Sequence, residues 1–256
     1  MDGLVGATSA VARIICVSAA VQTSLEHKSP RYRAKTIVIR NALPPAMEAL
    51  TAQLRSRREA TYRPGRKVIA CGRLAEQKNY KVLIRALAHA SDATLEIIGA
   101  GPDEAALRAM ADEYGVADRL AFLGLMPREA ALSLIATRDV FVQPSLFEGH
   151  SLALIEAARI GIPMIVSNVP SQIEAVTDAS GQLCAMTHDP HDPAALGEAL
   201  RQMLGNDTAR HRYQALAAGL GDQISFARMA DGYEALIREH RPHSMPDWQR
   251  PKLRLA

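Results

Sequence analysis

Residues 140–167 read VFVQPSLFEGHSLALIEAARIGIPMIVS. The run Val140-Phe141-Val142-Gln143 has the length and composition of a buried strand, and Pro144-Ser145 turns the chain out of it. From Ser151 onward the residues suit a helix that stops at Gly161, and a second apolar run, Met164-Ile165-Val166, follows. This is a strand–loop–helix–strand unit of a parallel sheet. A loop that feeds a helix N-terminus in such a sheet is where anions bind. Glu148 in the loop and Glu156 on the helix stand beside that position, and carboxylates accept hydrogen bonds from sugar hydroxyls.

The alternation extends in both directions. Further strands are expected at Ile14–Val17, Thr36–Ile39, Val68–Cys71, Leu95–Ile98 and Leu120–Leu123, with a final short one at Leu183-Cys184. Ser18 caps a helix to about Glu26, and helices follow over Ala46–Ala60 and Tyr80–Ala90. Asp103 caps a helix that closes at Gly115, and others span Pro127–Ala136, Ser171–Val176, Pro193–Leu204, Ala209–Ala218 and Phe226–His240. Regular β–α alternation with buried-type strands predicts an α/β fold, a doubly wound parallel sheet covered by helices on both faces. No internal repeat is visible.

The organisation is uneven. Residues 43–225 make one complete doubly wound domain, whereas 1–42 supply too little for a core of their own and read as the end of a preceding domain plus a linker. Residues 226–241 form a terminal helix expected to pack toward that domain, and the proline-rich 242–256 read as a disordered tail. The apolar segment Ala7–Val21 and the terminal helix are therefore expected to be exposed or mobile.

Bulk properties exclude several classes. The 256 residues are 48% hydrophobic and 22% charged, enough for a real core. Aromatics make up only 4%, too few for a stacking surface, so no nucleic-acid partner is expected. The net charge of +3 is mild, and the basic stretch Arg55–Lys67 reads first as a solvated helix end and loop. Cys16, Cys71 and Cys184 are scattered and odd in number, which suits buried thiols in a reducing compartment. No run reaches the length of a membrane span and the N-terminus does not resemble a signal peptide. A cytoplasmic location follows, with peripheral contact at the inner membrane face left open.

A second loop, Gly72-Arg73-Leu74-Ala75-Glu76-Gln77-Lys78-Asn79, follows the strand at Val68. Gly72 lets the chain leave the strand tightly, and Arg73 and Lys78 on one loop, facing the Glu148 loop, would clamp a diphosphate. Taken alone, such cations are more often solvated. Gly99-Ala100-Gly101 is equally common between a strand and a helix. Glu156 sits mid-helix; the bland alternative is that it faces outward and pairs with Arg159 or another surface cation. The His150 ring also has a bland alternative, solvation, and its backbone N–H is the more useful group.

Together these segments resemble retaining, nucleotide-sugar-dependent glycosyltransferases of family 4, which have the GT-B fold. The resemblance is carried by residues 142–167, with two glutamates separated by seven residues, and by GRLAEQK (72–78), IGAGP (98–102) and FLG (122–124) in order. IICVS (14–18) and IVIRN (37–41) are similar to the family's first-domain end and linker.

The resemblance implies that Arg73 and Lys78 bind the donor diphosphate and that Glu148 contacts the donor sugar. It implies that Glu156 holds the ribose and that backbone N–H groups of Gly149, His150, Ser151 and Leu152 meet the phosphates. Leu125 and Met126 would lie against the base, and Gly72, Gly99 and Gly101 complete the donor-binding set. Transfer of a hexosyl group would retain configuration, with a UDP- or GDP-linked sugar as donor, no cofactor and no metal. The acceptor would be a saccharide or a lipid-linked saccharide, as in polysaccharide or glycoconjugate biosynthesis. The family's acceptor domain is mostly absent here, so a separate acceptor-domain polypeptide is a possible partner. The alternatives are a non-catalytic nucleotide-binding or scaffolding remnant and, less favoured, a nucleotide-sugar epimerase. Two departures from the family pattern stand out: Asn41-Ala42-Leu43-Pro44 in the linker, and Asn79 where glycine is frequent.

Overall fold

A computed structural model describes residues 5–240; the tail expected at 242–256 lies outside the described residues. The strands are β1 (Ile14–Cys16), β2 (Thr36–Val38), β3 (Lys67–Cys71), β4 (Thr94–Ile98), β5 (Leu120–Gly124), β6 (Val140–Gln143), β7 (Met164–Ser167) and β8 (Met186–His188). The helices are α1 (Ala19–Thr23), α2 (Pro30–Arg33), α3 (Pro45–Thr61), α4 (Tyr80–Ala88), α5 (Glu104–Glu113) and α6 (Arg128–Ile135). They continue as α7 (Leu152–Ile160), α8 (Pro170–Ala175), α9 (Pro193–Gly205), α10 (Asp207–Gln223) and α11 (Phe226–Glu239).

Six parallel strands run in the order β5-β4-β3-β6-β7-β8, and β1 and β2 form a separate parallel pair. The expected doubly wound sheet is present. The winding reverses between β3 and β6, so a crevice opens at the C-terminal ends of those two strands.

Strand alternation builds a core on each face. Val68, Ala70, Val140, Val142 and Ile165 face Leu83 and Leu87 of α4, Leu107 of α5 and Leu196, Leu200 and Met203 of α9. Ile69, Phe141, Met164 and Val166 face Leu54 of α3, Leu132 of α6, Leu154 and Ile160 of α7 and Leu220 of α10. β6 and β7 are buried along their whole length, as continuous apolar runs in a parallel sheet require.

The structure differs from expectation at several ends. The last strand is Met186–His188, not Leu183-Cys184. Asp178 accepts from the Ser180 and Gln182 N–H groups at 2.9 Å each, and this turn folds Leu183 back into an antiparallel bridge with Thr177. Asp103 makes no side-chain cap to α5. Ser18 does cap α1, accepting from Val21 N at 3.1 Å, but that helix ends at Thr23 rather than near Glu26. α10 begins earlier than expected because Asn206 accepts from Ala209 N at 3.0 Å, and it runs on to Gln223.

The segment carrying β1 and β2 is tied to α8 through α1 and Arg40. The Glu174 carboxylate on α8 accepts from the free N–H groups of Ala19 and Ala20 at 2.9 and 2.8 Å, at the N-terminus of α1. It also accepts from Arg40 Nε and Nη2 at 3.1 and 2.8 Å. α11 has no fully buried residue, and Arg13 meets Glu239 on it at 2.6 Å. Burial raises the Glu174 pKa, but the two backbone donors and Arg40 outweigh it and hold the carboxyl below its usual range. Its stabilisation is therefore complete above the ordinary carboxylate range and is lost as pH falls through the lowered value. Glu174→Gln is expected to cost about 1–2 kcal/mol at neutral pH and to flatten the acid limb of stability. Thermal melts from pH 7 to 3 check both effects; an unchanged acid limb would contradict them.

Candidate functional site

β3 leads into Gly72, and the chain beyond it stays hydrogen-bonded to its neighbour. Gly72 N donates to Ile98 O at 2.9 Å, Leu74 N to Ala100 O at 3.1 Å and Gly99 N to Gly124 O at 2.8 Å. This lateral zipper needs glycine. A Cβ on Gly99, whose φ is +139°, would lie 1.9 Å from Gly72 O, and one on Gly101 would lie 2.2 Å from Leu74 O. Gly99 and Gly101 thus serve the close approach of two loops. A short turn, Glu76–Lys78, then delivers Lys78. Asn79 adopts φ 52° and donates to Pro190 O at 2.7 Å. Asparagine is among the few residues that visit this left-handed region readily, so it replaces glycine here. Ala42 does not adopt a positive φ and is buried, so the linker there needs no glycine.

Across the crevice, the loop after β6 is tied to this turn. Leu146 N donates to Gln77 O at 2.8 Å, and Gln77 Nε2 donates to Phe147 O at 3.0 Å. Lys78 Nζ meets Glu148 Oε1 at 2.7 Å, with both side chains largely buried. A polar network underneath braces the loop. Ser151 Oγ donates to Gln143 Oε1 at 2.8 Å, Gln172 Nε2 donates to Ser145 O at 3.0 Å, and Ser167 Oγ donates to the same carbonyl. Ser151 also caps α7, accepting from Leu154 N at 3.4 Å. The backbone N–H groups of Gly149, His150, Ser151 and Leu152 have no acceptor among the described residues. They sit at a helix N-terminus, where the backbone dipoles favour an anion.

Glu156 lies one turn into α7 and is 8% exposed. Its Oε1 accepts from Arg128 Nε at 2.6 Å. The outward-facing alternative does not hold and Arg159 is not the partner, but a surface cation, Arg128, does pair with it. Arg159 turns to Glu48 and donates to Ile224 O at 2.8 Å instead. Burial pushes the Glu156 pKa up, and the Arg128 hydrogen bond and charge oppose it.

His150 is buried as well. Its carbonyl accepts from Asn41 Nδ2 at 2.9 Å, and the residue borders an open pocket of about 980 Å³ with Ile39, Ile173 and Ile224. Burial, aided by Arg40 and opposed by Glu174, lowers its pKa to about 4. The solvated alternative for this ring does not hold.

Arg73 is exposed and pairs with no described carboxylate, so only Lys78 of the two cations is engaged with the Glu148 loop. Leu125 is 83% exposed, whereas Met126 packs against the core on the α7 side of the sheet. The structure therefore gathers Gly72, Lys78, Glu148, Gly149–Leu152 and Glu156 around the crevice, with Arg73 and Leu125 free at its rim.

Residues 54–226 match the pattern of the family described as glycosyl transferases group 1. The chain belongs to that family. Among curated relatives, it is 33% identical over 198 residues to the D-inositol 3-phosphate glycosyltransferase of Corynebacterium glutamicum, covering 72% of this chain and 46% of that one. It is 28% identical over 137 residues to the 2-deoxystreptamine glucosyltransferase of Streptomyces kanamyceticus, covering 52% of this chain and 35% of that one. The chain thus spans about half or less of the curated relatives it matches. In structure, Anabaena HepE in complex with UDP and glucose superposes with a TM-score of 0.74 over 89% of this chain and 63% of that one, at 17% identity. Sucrose-phosphate synthase from Thermosynechococcus elongatus gives 0.75 over 93% of this chain and 60% of that one, at 20% identity. These likenesses establish the GT-B glycosyltransferase fold.

Sequence reasoning missed Arg128, the Gln77 bridge and the polar network beneath the loop. Arg128 is 28 positions from its partner, and no periodicity signals such a contact. Gln77 did lie within a quoted motif, but a glutamine between two cations carries no chemical signal of its own.

The buried His150 ring binds a proton more weakly in the folded chain than in the unfolded one. Stability should therefore fall as pH drops from about 6.5 toward 4. His150→Phe keeps the ring buried and is expected to remove that part of the loss. Denaturant melts at pH 7, 6 and 5 check this; parallel pH profiles for parent and variant would contradict it.

Proposed function

We propose that this glycosyltransferase-family chain is the donor-binding half of a retaining, family 4 enzyme. It would transfer a hexosyl group from a UDP- or GDP-linked sugar to a saccharide or lipid-linked acceptor, in polysaccharide or glycoconjugate biosynthesis. The observation that carries the reading is the row of unaccepted N–H groups at Gly149–Leu152, set at the switch point beside Lys78, Glu148 and Glu156. A diphosphate fits that row, which offers several donors and the positive end of a helix. Lys78 and the rim residue Arg73 would then neutralise charge that grows on the leaving diphosphate as the glycosidic bond breaks. Lys78 is already paired with Glu148, so the cation and the sugar-facing carboxylate are held as one unit.

Glu148 would contact the transferred sugar and Glu156 the ribose, with Leu125 and Met126 against the base. Retention of configuration and transfer without a metal rest on the motif resemblance and on the two cations. The acceptor surface is sought in the part of the relatives that this chain does not cover, whether carried by this protein or by a second polypeptide. No helix among the described residues is long and apolar enough to cross a membrane. Activity in the cytoplasm, with peripheral contact at a membrane carrying a lipid-linked acceptor, is part of the same reading.

Calorimetric titration of UDP and GDP into the chain tests it. One of the two is expected to bind, and Arg73→Ala, which removes a charge-assisted contact without disturbing any internal partner, is expected to weaken binding at least about tenfold. A folded chain that binds neither nucleotide would overturn the donor-site reading.

A further inference from the structure

Arg128 opens α6 directly after Leu125, Met126 and Pro127 and spans the crevice to α7. Its Nε holds Oε1 of Glu156 at 2.6 Å, while Oε2 of Glu156 receives no hydrogen bond from any described residue. The arrangement is asymmetric: the Glu156 side chain is 11% exposed and that of Arg128 42%. A carboxylate withdrawn from water in this way favours its neutral form unless a cation is at hand.

The surroundings make Arg128 that cation. Cys71 faces Glu156 from β3; its thiol is pushed up to about 11 by burial and then by Glu156 itself, so it is neutral at physiological pH. Lys78 is taken by Glu148. Arg159, on the same helix as Glu156, is turned to Glu48 of α3. Arg55 of α3 pairs with Asp222 of α10. Among the described residues, only Arg128 forms an ion pair with Glu156.

We propose that Arg128 is a positioning residue: it fixes one oxygen of Glu156 and keeps the group charged, so that the other oxygen accepts from the vicinal hydroxyls of a nucleotide ribose. The ribose part rests on the donor-site reading above. A protonated Glu156 would present one donor and a weaker acceptor to those hydroxyls, and an unheld one would have no fixed orientation.

Two measurements on the full chain separate this proposal from the reading it rests on. Carboxyl-labelled NMR follows Glu156 titration in the parent, Arg128→Gln and Arg128→Lys. The midpoint is expected to rise in Arg128→Gln and to return toward the parent's in Arg128→Lys. Calorimetry with UDP, GDP and 2′,3′-dideoxy-UDP follows ribose recognition. For whichever nucleotide the parent binds, Arg128→Gln should bind it about tenfold more weakly at pH 7.5 and lose further affinity by pH 6, a fall the parent does not show. The variant should also discriminate less between UDP and its dideoxy form. Unchanged midpoint and unchanged affinity in Arg128→Gln would overturn the proposal. A parent that binds neither UDP nor GDP while the midpoint still moves would overturn the donor-site reading and the ribose assignment that rests on it, and would leave the Arg128 hold on Glu156 standing. The Arg128 side chain is 42% exposed, so these variants should fold; a melt confirms it.

Discussion

The loop after β3 and the loop after β6 are locked to each other across the switch point, and the crevice depends on that lock. Gln77 contributes both its carbonyl and its side chain, and Lys78 adds an ion pair to Glu148. The pair is largely withdrawn from water, so each charge is costly to leave without the other. The two hydrogen bonds from the same turn fix its geometry. A site held in this way needs little rearrangement to receive a ligand, and less of the binding free energy is spent on ordering.

The lock determines the electrostatics of the site. Both carboxylates carry one cation each, Lys78 on Glu148 and Arg128 on Glu156. What stays uncompensated is Arg73 at the rim and the amide row at the start of α7. The crevice therefore combines anion affinity at one end with acceptor oxygens at the other. A phosphate joined to a hydroxyl-rich group matches that polarity. The glycine zipper supports it from the side, because at Gly99 and Gly101 the loops can come together only where no Cβ intervenes.

Much of this was legible in sequence. Continuous apolar runs such as Val140–Val142, with helical stretches between them, are what a doubly wound parallel sheet requires, and the sheet is there. The motif loops at 72–78 and 144–151 sit at the ends of the two strands that flank the reversal of winding, so local motif and global topology agree. Contacts between distant elements were not legible. The Arg128 partner of Glu156 and the Glu174 clasp on α1 join residues separated by 28 and more than 150 positions, and nothing local marks them. The misplaced last strand has a local cause: Asp178 gathers the following turn, and Leu183 reads as strand but is spent closing that turn. The Gly-Ala-Gly turn was seen, but its role in the zipper needed the neighbouring loop.

We read the unaccepted amides at the start of α7 as the anion seat of a donor crevice. Amide chemical-shift mapping during titration with UDP and GDP tests it most directly. The largest shifts are expected on Gly149, His150, Ser151 and Leu152, with smaller ones along residues 72–78. Shifts confined to other surfaces, or a folded chain whose 149–152 amides stay in place at saturating nucleotide, would contradict it.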